Sequence, residues 1–332
     1  MLTGLVLALA LNFAFMLLVM PRFIVKLQQR GTVTVDRYKR DLREIPTQGG
    51  IAIIAVVFLL FGLEATLEHL PFYFVSIPFQ STDTDWAILL VAGLYAGFGL
   101  VDDLVDVGRV VKIVLLFFFS YRLIFVILTT AITIPVLGVI DLGVYHLFII
   151  VPLYVLVVAN LVNMHSGFNG LASGLSALLI AFMLVKFIMV GSPGMLVLSC
   201  LLGATLGFVW FNRYPARILW GNVGALALGA ALGSAIVVSG FLVAGFVMFL
   251  PHTVNFLMYA YWRVMHKLHP ETLKWQLAKF GRVRDDGTLE VPNPLTLKWV
   301  LPYHFRMTER QAVLAMYALT LPFCVLGLFI PY

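Results

Sequence analysis

Three carboxylates crowd one short stretch of an otherwise apolar chain, Gly99-Leu100-Val101-Asp102-Asp103-Leu104-Val105-Asp106, and Lys112 follows. Asp102 and Asp106 are four apart and Asp103 and Asp106 three apart, so one helical turn would bring two of them together. Like charges that close raise one another's pKa unless a cation intervenes. A hard divalent cation shared by carboxylates and substrate phosphates is the natural relief. A solvated acidic loop is the plainer reading. Against it, the other loops on this side of the chain are basic, so the acids stand apart from their surroundings.

A second polar segment runs Asn160-Leu161-Val162-Asn163-Met164-His165-Ser166-Gly167-Phe168-Asn169-Gly170. Asn160 and Asn163 lie at i,i+3, which puts two amides on one helical face. Amide oxygens ligate Mg²⁺, and amide nitrogens donate to phosphates or sugar hydroxyls. Gly167 and Gly170 permit a sharp reversal and a close ligand. Helix capping accounts for one Asn-Gly pair. It does not account for three Asn, a His and a Ser within ten apolar-flanked residues.

Two further segments are weaker. Phe211-Asn212-Arg213-Tyr214-Pro215-Ala216-Arg217 leads to Trp220-Gly221-Asn222 at a helix start, where free N–H groups suit phosphate. Trp220 could stack on a base, and an interfacial aromatic is an equal reading. Gln48-Gly49-Gly50 opens another helix, and a cap there needs no function.

These segments must be positioned by membrane helices. Of 332 residues 61% are hydrophobic and 11% charged, and the mean hydropathy is +1.00. A soluble domain carries about 25% charged residues, so a water-soluble globule is excluded. Apolar runs at about 2–20, 50–66, 86–101, 110–130, 147–162, 171–190, 195–211, 224–239, 243–264 and 310–329 predict an all-α polytopic membrane protein of about ten transmembrane helices, a single integral domain over 1–332. The first run lacks a basic n-region and a small-residue cleavage site, and a basic segment follows it, which suits a retained helix rather than a signal peptide. All of the 22 Lys and Arg except Arg122 and Lys186 fall in or beside the odd-numbered loops, while the opposite loops hold Glu64, Glu68, Asp83, Asp85 and Asp141. That asymmetry predicts cytoplasmic basic loops, an active site on the cytoplasmic face and both termini outside. The basic residues are spread beside membrane helices, so nucleic acid is not an expected partner. Lys186 is placed to snorkel, and Arg122, mid-helix, to face a partner or polar cavity.

Thr133 to His146 mixes β-branched residues with glycines and predicts a short external β-hairpin. The cytoplasmic loop 267–308, before the last helix, is too long for a connector, and its turn at Asp285-Asp286-Gly287 predicts an ordered substructure. Gly93/Gly97, Gly203/Gly207 and Gly229/Gly233 have the spacing of close helix packing. Cys200 and Cys324, the only cysteines, read as small core residues.

Taken together, Asp-Asp with a lysine ten residues on, Asn-x-x-Asn-x-x-x-Gly-x-Asn-Gly, Phe-Asn-x-Tyr-Pro-Ala-Arg and Pro-x-x-x-Asn-Phe at Pro251 to Phe256 resemble, in order and over nearly the whole chain, the polyprenyl-phosphate N-acetylhexosamine-1-phosphate transferases. Ser-Gly-Phe-Asn-Gly at 166–170 resembles the eukaryotic and archaeal branch that makes GlcNAc-diphospho-dolichol. The bacterial cell-wall branch has Asp-Gly-x-Asp-Gly there and a late histidine triplet, which this chain lacks. The resemblance implies a Mg²⁺-dependent enzyme, with Mn²⁺ as an alternative ion, moving GlcNAc-1-phosphate from UDP-GlcNAc to a polyprenyl (dolichyl-type) phosphate with release of UMP, the first membrane step of lipid-linked oligosaccharide synthesis. It implies metal ligation by Asn163 and Asn222, and nucleotide-sugar contacts from Asn169, Gln48, Gly49 and Gly50. Asp102, Asp103 and Lys112 are the catalytic candidates, with Lys112 and Asn160 on the lipid phosphate. Trp220 is added for the base, and Arg282 and Arg284 for the diphosphate because guanidinium matches phosphate geometry. The family usually has Asp at the position of Asn222, so this chain's metal shell carries one negative charge fewer.

The alternatives are the same chemistry with another UDP-N-acetylhexosamine or undecaprenyl phosphate in cell-envelope synthesis, an intramembrane prenyltransferase, and a transporter. A prenyltransferase needs a second Asp-rich motif. A transporter places ionisable groups at the bilayer midplane, whereas these lie at one face. A homodimer is an open arrangement, and the setting is the cell membrane, or the endoplasmic reticulum membrane in a eukaryote.

Overall fold

A computed structural model describes residues 2–68, 81–105, 107–135 and 137–331. Helix α1 (Leu2–Gln29) passes through the antiparallel pair β1 (Val33–Val35) and β2 (Glu44–Pro46) into α2 (Gly50–Glu68). Then come α3 (Asp83–Val105) and the short α4 (Arg109–Phe119). The hairpin β3 (Ala131–Ile134) and β4 (Gly138–Asp141) leads through a π-helical turn at His146–Ile150 into α5 (Val151–Met164). Helices α6 (Leu171–Val190), α7 (Met195–Asn212), α8 (Gly221–Val238), α9 (Leu242–Met248) and α10 (Leu250–Leu268) follow. The long loop folds into the pair β5 (Arg282–Val283) and β6 (Leu289–Glu290) around the Asp285-Asp286-Gly287 turn, then α11 (Leu297–His304), before α12 (Glu309–Phe329).

The chain is an all-α polytopic membrane protein. Among the described residues eight helices are long and apolar enough to span a bilayer, and the bent pair α9–α10 makes a ninth if taken as one span. Two of the ten expected spans therefore differ. The run 243–264 breaks by 67°, because Pro251 has no N–H to carry the helical ladder past Phe249. The run 110–130 is α4 followed by a 3₁₀ turn at Ser120–Phe125. There the Tyr95 hydroxyl donates to the Leu116 carbonyl at 2.6 Å, which would otherwise take the next helical bond, and the Ser120 N–H turns to Phe117 instead.

Helix α8 is the axis of the bundle. Every residue from Val223 to Val237 is buried, as expected of a helix apolar all round. It lies between α3 and α5. A Cβ on Gly229 would stand 2.6 Å from the Ala159 Cα, and one on Gly233 2.9 Å from the Val155 Cα, so α5 rests on glycine backbone. Gly203 and Gly207 admit α1 in the same way, against Leu9 and Met16. The third pair differs, since Gly93 faces the Phe58 ring and Gly97 meets nothing within 4 Å. Cys200 and Cys324 are free and buried, and the Cys200 thiol donates to Glu64 at 3.5 Å.

Leu9 opposite Gly203 and Met16 opposite Gly207 make α1 and α7 parallel. Lys186, at the far end of α6, donates to the Leu328 and Ile330 carbonyls at 3.2 and 2.8 Å. It is 2% exposed, so it closes the end of α12 rather than snorkelling to water. Arg122 stacks over the Phe125 ring at 5.7 Å and has no ion pair among the described residues. Helix α1 thus begins, and α12 ends, at the face opposite the loops that carry the polar motifs.

Replacing Gly229 by Val is expected to lower the thermal midpoint of the detergent-purified protein, at a cost of about 1–3 kcal/mol for overpacking. Gly97→Ala, with open space around it, should leave the midpoint unchanged or higher. Equal behaviour of the two variants would show that α5 does not rest on Gly229.

Candidate active site

The polar motifs meet where α3 ends, α5 turns into α6 and α7 turns into α8. Gly170, at φ +78°, makes the second turn, and a Cβ there would lie 3.2 Å from the Arg213 Cα. Gly221, at φ +71°, makes the third, and a Cβ there would reach the Asp103 carboxylate at 2.6 Å. Both turns need a residue with no side chain.

Asn222 is held by both acids. Its backbone N–H donates to the two oxygens of Asp103 at 3.2 and 3.0 Å, and its amide Nδ2 donates to Asp102 Oδ2 at 3.0 Å. Lys112 Nζ reaches the same Asp102 oxygen at 2.7 Å. The start of α8 is therefore not an open phosphate site, because the Asp103 carboxylate already satisfies its N–H and its dipole. Asp106 lies outside the described residues.

Asp103, Asn163, Asn169, Trp220 and Asn222 line one cleft of about 250 Å³. The side chain of Asn163 and the Oδ1 of Asn222 have no hydrogen-bond partner among the described residues. Asp103, Asn163 and Asn222 offer oxygen ligands to a cation, the chemistry of a hard divalent ion, although among the described residues no group of three His, Cys, Asp or Glu could hold a metal alone.

The remaining expected residues sit elsewhere. Asn160 donates to the Leu156 carbonyl of its own helix at 2.8 Å. The N–H groups of Gly49 and Gly50 are spent on the Leu219 and Trp220 carbonyls, both at 2.9 Å, and Gln48 is buried beside them. These glycines let α2 close on the turn before α8, since a Cβ on Gly50 would run into the Gly224 backbone. Arg284 donates to the Leu289 carbonyl at 2.5 Å within its own hairpin, and Arg282 is exposed outside the cleft. The cation that does line the cleft is Arg37, whose guanidinium lies 5.6 Å over the Phe280 ring. In the sequence Arg37 is one basic-loop charge among several. No spacing signal marks it, since the loop 36–43 is placed by contacts with the distant 280–309 segment.

Those contacts form a buried frame. Lys39 Nζ pairs with Glu309 at 2.6 Å and Asp36 at 3.2 Å. The other Glu309 oxygen accepts the Asn169 N–H at 2.6 Å, and the Asn169 side-chain oxygen accepts the Ala216 N–H at 3.0 Å. Tyr38 stands beside them, taking the Trp299 indole N–H at 3.1 Å with its ring edge-on to Phe168; burial raises its phenol pKa. Lys298 donates to the Ser166 carbonyl, and burial pulls its ammonium down to about 8. The His165 and His252 rings meet at 4.5 Å. Burial, then the neighbouring His252 and Lys298, hold His165 well below the usual imidazole range.

Lys39→Met and Glu309→Gln should each cost about 3–5 kcal/mol, the penalty for stranding one member of a buried pair. The double variant should lose less than the sum of the two, read from thermal midpoints as a double-mutant cycle. Additive losses would mean that the two groups are not coupled.

The profile of glycosyl transferase family 4 matches residues 86–240. A protein of Saccharolobus solfataricus, provisionally named a UDP-N-acetylglucosamine–dolichyl-phosphate N-acetylglucosaminephosphotransferase, is 30% identical over 301 residues, 88% of this chain and 86% of its own. A Sulfolobus acidocaldarius protein with the same provisional name is 29% identical over 98% of this chain and 96% of its own. The phospho-N-acetylmuramoyl-pentapeptide-transferase of Clostridium botulinum is 29% identical over 68% of this chain and 71% of its own. With the acidic pair, the asparagine cleft and α8 all inside the matched region, this chain belongs to glycosyl transferase family 4, as a membrane-embedded transferase.

Proposed function

We propose that this chain transfers GlcNAc-1-phosphate from UDP-GlcNAc to a polyprenyl phosphate of the dolichyl type, releasing UMP, at the cytoplasmic face of the membrane with both termini on the other side. One observation carries this reading: Asp103, Asn163 and Asn222 converge in an oxygen-lined cleft beside the Asp102–Lys112 pair, at the end of the bundle that bears the basic loops. The names and near full-length coverage of the archaeal relatives favour the dolichyl acceptor over the muramoyl-peptide chemistry, whose relatives match 68% of this chain.

In the proposed reaction an oxygen of the lipid phosphate forms a bond to the sugar-bearing phosphorus, and the bond from that phosphorus to the bridging oxygen breaks as UMP leaves. A lipid phosphate, with a second pKa near 6, is largely dianionic at neutral pH and needs little base catalysis. Positioning and charge neutralisation then carry the reaction. Lys112 uses one of its three donors on Asp102, which leaves donors for a phosphate oxygen. Arg37 faces the same cleft as the cation for the diphosphate, and Asn169, anchored through Glu309, presents its amide nitrogen to the nucleotide sugar. Asp103, Asn163 and Asn222 are the residues that would hold Mg²⁺, or Mn²⁺ in its place. Such an ion supplies neutralisation of the charge that develops on the diphosphate.

The direct test incubates the purified protein with radiolabelled UDP-GlcNAc and polyprenyl phosphates of different length and saturation. Labelled lipid diphosphate and stoichiometric UMP are expected, and their absence with every acceptor would overturn the reading. Asp103→Asn keeps an oxygen for the α8 N–H but removes the charge. It should lower kcat by about 10²-fold or more while the protein still inserts and folds.

Asn222→Asp sets a third carboxylate against Asp102, 3.0 Å from the present amide. The variant should melt lower in EDTA, recover with Mg²⁺ and reach half-maximal turnover at a lower Mg²⁺ concentration. A midpoint that does not respond to Mg²⁺ would separate position 222 from the metal.

A further inference from the structure

A second cleft, of about 740 Å³, opens on the opposite side of Asn169, between the end of α7 and the start of α12. Arg43, Arg213, Arg217 and Arg310 line it, and among the described residues no carboxylate does. None of the four forms an ion pair among the described residues. Two are held flat by aromatic faces, Arg213 at 3.7 Å over the Trp210 ring and Arg217 at 4.4 Å over Phe211. A stacked guanidinium keeps its N–H edge free for phosphate oxygens. Arg217 spends one long contact, 3.5 Å, on the Trp210 carbonyl, and Arg43 one of 3.4 Å on the Ala216 carbonyl. The Arg43 Nε is buried with no acceptor among the described residues. Arg310 has no hydrogen bond among the described residues.

The walls are of the opposite character. Val209 and Trp210 from α7, and Val313 and Leu314 from α12, line the same cleft. Trp210 is 49% and Leu314 54% exposed on helices that span the membrane, so this wall faces acyl chains. An anion here must be able to lie against apolar surface as well as satisfy guanidinium groups. A soluble phosphate meets only the second requirement.

We propose that this cleft binds an anionic phospholipid, with its headgroup phosphate on the four arginines and an acyl chain along Trp210 and Leu314. The site is separate from the reaction cleft and does not require the proposed transfer reaction to be correct. Basic loops at a membrane surface attract anionic lipid in general, so the claim to test is a localised site at these residues.

Reconstitution of the purified protein in bilayers with a few per cent of brominated phosphatidylglycerol, or of brominated phosphatidylcholine, in a phosphatidylcholine background reads the site directly. Bromine quenches a neighbouring tryptophan, and the difference between wild type and Trp210→Phe isolates the Trp210 share. Quenching of Trp210 should be half-maximal at a phosphatidylglycerol fraction at least about fivefold lower than for phosphatidylcholine, the factor one basic group contributes at a membrane surface. Arg213→Gln with Arg310→Gln should remove that preference. Lys26→Gln with Arg30→Gln, which takes two charges from the end of α1, should keep it. Equal quenching by the two lipids would overturn the proposal, as would equal loss in both double variants. Full displacement by millimolar inorganic phosphate would also overturn it, assigning the cleft to a soluble anion.

Discussion

Everything at the polar end of the bundle depends on how one helix start is held. Asn222 opens α8, and two carboxylates from the end of α3 grip it, Asp103 by the backbone N–H and Asp102 by the side-chain amide. A helix terminus near the low-dielectric interior leaves N–H groups that must find an acceptor. Here they find a carboxylate whose charge the helix dipole favours. Lys112 balances the second carboxylate, so the pair survives at the mouth of an apolar bundle. Because α8 is buried along its length between α3 and α5, a shift at its start would move the two helices that carry the acids and the asparagines.

The rest of the cleft is assembled from the outside. The segment 36–39, the turn at 168–170 and the start of α12 are widely separated in the chain. They meet at Glu309, which accepts from Lys39 and from the Asn169 backbone. Two charge-assisted hydrogen bonds to one buried carboxylate give a geometry that a purely apolar contact would leave loose. Arg37 is carried into the cleft as a neighbour of this frame, with Phe280 beneath its guanidinium. The cations on the two sides of Asn169 then differ in number: Arg37 lines the cleft of Asp103 and Asn222, and four arginines, two of them over aromatic rings, line the other.

The sequence by itself determined what depends on local composition and spacing. Spans of about 20 apolar residues specify membrane helices because backbone groups in lipid must be satisfied within the segment. The β-branched stretch expected as a hairpin from Thr133 to His146 pairs at 131–134 and 138–141, and the Asp-Asp-Gly turn of the expected ordered substructure closes a second short strand pair. The polar segments holding Asp103, Asn163, Asn169 and Asn222 stand out because such residues are rare in so apolar a chain, and with Trp220 these residues line one cleft. What only the tertiary structure decided are the outcomes of encounters between distant residues. The Tyr95 hydroxyl ends α4 by taking the Leu116 carbonyl, and the N–H groups of Gly49 and Gly50 go to carbonyls more than 150 residues away. Arg284 turns into its own hairpin while Arg37 faces the cleft. A guanidinium reads the same in any loop of a sequence, and its role follows from whichever acceptor the folded chain sets within reach.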